Sequence, residues 1–210
     1  MHLRGSVWLV LAAVGALAAV ATPSRATVLV ELSLEELVAQ ADGIVHAVVE
    51  RRDEQLSLDG RVATPQTIST LRVREWLKGS GGVGGSGGVG GSGDSRVRLR
   101  ELGGTLQGRT ARVSGTPRYA VGEEVIVFLE AHPSAVGEYR TFAMAQGKWV
   151  VRHGLGAVPS HLRRDLSDVT LARWSEAGGL QLIEGAPEPA ASLDSFLRFV
   201  RSRVASGAQQ

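Results

Sequence analysis

Two stretches of alternating apolar and charged residues, one on each side of a glycine tract, constrain this fold more than any other feature of the chain. From Ile68 to Trp76, Leu71 and Val73 alternate with Thr70, Arg72, Arg74 and Trp76. From Arg96 to Arg100, Val97 and Leu99 alternate with Arg96, Arg98 and Arg100. Successive side chains of a strand point to opposite faces, so each stretch predicts a strand with one apolar and one cationic face. Between them, Gly79 to Gly93 holds ten glycines in fifteen residues and no proline. Collagen has a three-residue period too, but with one Gly per triplet and abundant proline. The tract predicts a flexible loop between two strands.

Other strands follow from the same reasoning. Ile44 to Val49 is apolar and β-branched, and reads as a buried strand running on into Arg51 to Glu54. Asp59-Gly60 is a turn signal. Glu124 to Leu129 reads as a continuous apolar strand ending at Glu130, with Tyr139 to Met144 and Trp149 to Arg152 completing a set of about six. Alternation of Val169, Leu171 and Arg173 favours a strand within Leu162 to Trp174. Two helices frame this set. Ser33-Leu34-Glu35-Glu36 is a capping box, and Leu34, Leu37, Val38 and Ala41 form a stripe at helical spacing. Ser192 caps a closing helix with Leu193, Phe196, Leu197, Val200 and Val204 on one face and Arg198, Arg201 and Arg203 off it. The expected fold is mainly β: an antiparallel OB-like barrel or sandwich with a short N-terminal helix and an amphipathic C-terminal helix.

The first 26 residues have the composition of a secretion signal. His2 and Arg4 precede fifteen nearly unbroken apolar residues, Val7 to Ala21. Small residues then offer cleavage after Ala21 or after Ala26. A membrane-spanning helix needs about 20 apolar residues, so the run favours a cleaved leader over an anchor. The expected organisation is a signal peptide (1–26), a β-rich domain (27–185, with 79–93 as its glycine loop) and a linker with the C-terminal helix (186–210). The expected location is periplasmic or extracellular, with no membrane span once the leader is removed. The chain has no cysteine, so the core must hold without disulfides. The leader carries Arg4 and Arg25; its removal lowers Lys+Arg from 23 to 21, equal to the 21 Asp+Glu. A near-neutral mature protein does not have the charge of a general nucleic-acid binder.

Catalytic motifs are weak. Gly84-Gly85-Ser86-Gly87-Gly88 fits G-x-S-x-G, and Gly82 to Gly87 fits G-x-G-x-x-G, but any glycine run does, and neither has its strand-to-helix context. His161, Asp165 and Asp168, with His153 nearby, match no defined metal spacing and read as a solvated loop. Glu123-Glu124 reads as a turn and charged strand entry rather than an acid–base pair. No cofactor is expected.

The candidate ligand-binding residues are the outer faces of the two alternating strands: Arg72, Arg74, Trp76, Arg96, Arg98 and Arg100. If the strands form a hairpin with Leu71, Val73, Val97 and Leu99 in the core, five arginines and an indole share one face. Like charges facing each other across a sheet are unfavourable. They are tolerated when carboxylates interleave, here Glu75, Glu101 or the acids near Arg51 to Glu54, or when an anionic polymer binds. The leading expectation is a secreted, non-catalytic module for a protein partner. The alternatives are an anionic-polymer binder using the arginine ladder, and a hydrolase whose site forms only in the fold.

Several segments together resemble a group of uncharacterised secreted bacterial proteins. These are Ala41-Asp42-Gly43-Ile44-Val45-His46-Ala47-Val48-Val49, Thr70 to Gly79 with its Leu77-Lys78-Gly79 ending, Leu102-Gly103-Gly104-Thr105, Val113-Ser114-Gly115-Thr116-Pro117, Gly122 to Leu129, and Ala145-Gln146-Gly147-Lys148. The order of strand, Leu-Lys-Gly, strand and Gly-Glu also resembles the OB barrel of netrin-like and metalloproteinase-inhibitor domains. That resemblance implies the barrel but not the inhibition, which uses an N-terminal cysteine.

Overall fold

The structure, a computed structural model, describes residues 27–57, 63–79, 96–156, 158–175, 178–183 and 191–207. The expected leader, the Asp59-Gly60 turn, the glycine tract beyond Gly79 and most of the 186–191 linker lie outside the described residues.

The chain is mainly β. In order it forms β1 (Thr27–Val30), α1 (Leu34–Gln40), β2 (Gly43–Ser57), β3 (Thr64–Lys78), β4 (Arg96–Leu102), β5 (Gly104–Leu106), β6 (Arg109–Ala111), β7 (Glu124–Ala131), β8 (Tyr139–Thr141), a 3-10 turn (Met144–Gly147), β9 (Lys148–Arg152), β10 (His161–Arg163), β11 (Val169–Trp174), β12 (Leu180–Ile183) and α2 (Leu193–Gly207). Seven strands pair in the order β10-β9-β7-β2-β3-β4-β8, and β8 also pairs with β7. A separate sheet has the order β1-β11-β12, and β5 and β6 form a hairpin.

Two apolar cores lie on opposite faces of the large sheet. Val45, Ala47, Val49, Leu71, Val73, Val97, Leu99, Val125, Val127 and Leu129 fill one. Ile44, Leu77, Ile126, Phe128, Trp149 and Val151 fill the other, covered by Leu37 and Val38 of α1 and Phe196, Leu197 and Val200 of α2. This is why β7 reads as a continuous apolar run: alternate residues enter different cores and both faces are buried.

Both helices are positioned by their caps. The Ser33 hydroxyl accepts from the Glu36 N–H at 3.2 Å, and the Glu36 carboxylate accepts from the Ser33 N–H at 2.7 Å. The Ser192 hydroxyl accepts from the Ser195 N–H at 3.2 Å. The off-face arginines of α2 tie it down: Arg201 makes a two-point pair with Glu75 on β3, at 3.0 and 2.8 Å, and Arg203 meets Glu35 on α1.

Two expectations are corrected, for the strand after Tyr139 and for Trp76, and one hairpin is new. The strand after Tyr139 stops at Thr141, because Ala143 and Met144 both take φ of 56° and turn the chain into the 3-10 segment. The 102–111 region is a hairpin, with Gln107 and Gly108 at φ of 50° and 74° in a two-residue turn. Trp76 leaves the arginine face. The β2–β3 register slips between His46, opposite Glu75, and Ala47, opposite Val73, so Arg74 is an extra residue on β3. One extra residue reverses the side-chain alternation beyond it, and Trp76 packs against the core of Val45, Val73 and Leu129.

Candidate functional site

β3 and β4 pair antiparallel, with Arg72 opposite Arg96, Thr70 opposite Arg98 and Ile68 opposite Arg100. The ladder arginines lie among carboxylates. Arg72 and Arg96 share Glu50, at 3.3 and 2.8 Å. Arg98 and Arg100 share Glu138, and Arg100 also donates to the Gln66 carbonyl oxygen at 2.8 Å. Arg74 meets Glu124 at 2.8 Å. The expected interleaving is present: Glu50 belongs to the anticipated strand around Arg51 to Glu54, whereas Glu124 and Glu138 were not anticipated. Glu75 serves Arg201, while Glu101 turns inward.

Glu101 is fully buried. One carboxyl oxygen accepts from the Thr141 N–H at 2.8 Å and the Thr141 hydroxyl at 2.6 Å; Tyr119 and Thr141 also share a hydroxyl contact of 2.6 Å. Burial outweighs these hydrogen bonds and pushes the Glu101 carboxyl up to about 7.

Glu124 is not a solvated strand entry. Its buried carboxylate lies 2.7 Å from His46 Nε2 and 3.1 Å from His153 Nε2, besides its contact with Arg74. His153 Nδ1 lies 3.4 Å from the Ser160 hydroxyl. A hydroxyl, an imidazole and a carboxylate thus stand in line, the set used to activate a serine nucleophile. Asp165 instead accepts from Ser167, and Asp168 pairs with Arg112 at 3.0 Å. Among the described residues, no group of three or more metal-ligating side chains converges.

The small sheet carries an apolar feature that sequence reasoning missed. Val30 pairs with Ala172, Ala172 with Leu182, and Trp174 with Leu180; Val28 pairs with Thr170. Directly paired residues share a face. On this one face Val28, Val30, Trp174, Leu180 and Leu182 are 44–63% exposed. β1 and β12 are the outer strands of that sheet. The signal was the β-branched run Thr27 to Val30, which lies beside the leader and was absorbed into its flank.

No protein-family model, curated protein or solved structure matches the chain.

Proposed function

We propose that the protein is an exported, non-catalytic binding module whose partner is a protein segment that adds a strand to the small sheet. The observation that carries this reading is the exposed apolar face of Val28, Val30, Trp174, Leu180 and Leu182 beside the outer strands β1 and β12. The apolar face and the outer backbone edge of β12 together suit an extended segment with apolar residues at alternate positions: the backbone supplies hydrogen bonds, and the side chains continue the face. β1 begins at Thr27, the residue that cleavage after Ala26 leaves first. We read the finer architecture as an OB-like barrel, β7-β2-β3-β4-β8; the β7–β8 pairing and the single pair Leu99–Tyr139 between β4 and β8 support that reading.

The test places a photo-crosslinking residue at Leu182 in the exported protein. A cross-linked heterologous partner whose capture is lost in Val30→Lys supports the reading. Cross-linking only to a second copy, or capture unchanged by Val30→Lys, overturns it.

A hydrolase is the second reading, favoured by the Ser160–His153–Glu124 line. The binding module ranks above it because Glu124 is divided among His46, Arg74 and His153, and the serine contact is the longest of the set. The anionic-polymer alternative is weakened at the ladder, where Glu50, Glu124 and Glu138 already engage the five arginines.

A further inference from the structure

Two cavities, of about 270 and 390 Å³, share a wall formed by Arg52, Arg112 and Thr116 to Tyr119. Their chemistry differs. The smaller is lined by hydroxyls, among them Thr67, Ser69, Thr105 and Thr110. Ser69 is fully buried beneath it, and among the described residues its hydroxyl has no hydrogen-bond partner. A buried hydroxyl left unmatched is unfavourable.

The larger cavity is cationic, and its charges can be followed one by one. The Lys148 ammonium donates to Glu123 at 2.6 Å and to the Arg118 carbonyl, and lies over the Tyr119 ring. Arg112 is paired with Asp168, and Arg52 with Glu54. Asp165 accepts from the Ser167 hydroxyl and N–H, with Arg163 and Lys148 close enough to favour its charged form. Arg118 and Arg152 remain. Both are exposed, and among the described residues neither guanidinium has a carboxylate partner. Lys148 holds the backbone of Arg118, so the position of that residue is set by a buried contact rather than by a loose loop.

We propose that the two cavities form one site for an acidic saccharide, a sugar bearing a carboxylate and several hydroxyls. Arg118 and Arg152 take the carboxylate, for which the planar guanidinium is the matched donor. The hydroxyl lobe, with the exposed Thr105 and Thr110, takes the sugar hydroxyls. The combined space suits a ligand of one or two sugar rings. This site shares no residue with the arginine ladder or with the apolar face of the small sheet, so it stands independently of the partner-strand reading.

The test is calorimetric titration of the full chain with digalacturonate, an alginate disaccharide and a hyaluronan disaccharide, each beside its methyl-esterified form, with sodium acetate and sulfate as simple anions. At least one acidic saccharide is expected to bind, and its ester is not. Arg118→Gln and Arg152→Gln should each weaken that binding by about tenfold or more, the loss expected for a charge-assisted hydrogen bond. Thr105→Val should weaken it by less, and Arg198→Gln, on the far helix α2, should leave it unchanged. Thermal melts of each variant confirm the fold. Failure of all three saccharides, equal binding by acetate or sulfate, equal binding by the esters, or unchanged affinity in both Arg118→Gln and Arg152→Gln overturns the proposal.

Discussion

Glu101 should make this protein less stable as pH rises from acid to neutral, the reverse of the usual carboxylate effect. Its carboxyl is fully buried and pushed up to about 7 from the ordinary 4.5. In the unfolded chain it regains the ordinary value. Between pH 4.5 and 7 the folded state therefore binds this proton more tightly, and stability falls with rising pH. The contribution is fully present below about pH 4.5 and lost as pH passes through 7. A difference of that size corresponds to about 3 kcal/mol at about 1.36 kcal/mol per pH unit. That is a large share of a typical domain stability of about 5–15 kcal/mol. The perturbation is Glu101→Gln, whose side-chain oxygen can still accept from the Thr141 N–H and hydroxyl. Urea unfolding of both proteins at pH 4.5, 5.5, 6.5 and 8 isolates the effect, because every other titrating group is common to both. Relative to the variant, the wild type should lose about 3 kcal/mol by pH 8. A constant difference across the four pH values would refute a raised Glu101.

Four further outcomes are expected. Gln146→Ala should destabilise the protein by about 1–3 kcal/mol in urea unfolding, because the Leu32 N–H and the Val30 carbonyl lose their partners at 2.9 Å. The variant with alanine at Arg72, Arg74, Arg96 and Arg98 should match the wild type in low-salt binding to heparin, lipopolysaccharide and single-stranded nucleic acid; binding lost in the variant would restore the ladder as a site. A fluorophosphonate probe should leave Ser160 unlabelled; labelling that disappears in His153→Ala would establish the hydrolase instead. Mass spectrometry of the exported protein should find Thr22 or Thr27 at its N-terminus, and an intact Met1 in membrane fractions would overturn export.

The β3–β4 hairpin was legible because alternation is a local property. Leu71, Val73, Val97 and Leu99 point inward without reference to the rest of the fold. The capping box at Ser33, the Ser192 cap and the helical stripes were legible for the same reason. Trp76 was misplaced by one extra residue, Arg74, in the β2–β3 register. That slip arises from the match between two strands, so neither strand shows it alone. Two acids of the ladder, Glu124 and Glu138, were missed for a related reason. Glu124 lies on β7, beside β2, and Glu138 before β8, beside β4. Naming them requires the strand order. Gln107-Gly108 was harder to find, since the two-residue hairpin signal has Asn, Asp or Gly before the glycine and here Gln107 takes the positive φ instead. The segment Ala145-Gln146-Gly147-Lys148 shows what a resemblance without topology leaves open. Gln146 stitches the chain after β1 to the core, and a Cβ on Gly147 would fall 2.0 Å from the Phe142 carbonyl oxygen. Lys148 fixes the loop that carries Arg118. Four neighbouring residues that look like one motif therefore divide their work. Gln146 joins the small sheet to the large one, Gly147 leaves room for the Phe142 carbonyl, and Lys148, itself a lining residue of the larger cavity, holds the Arg118 wall of the saccharide site.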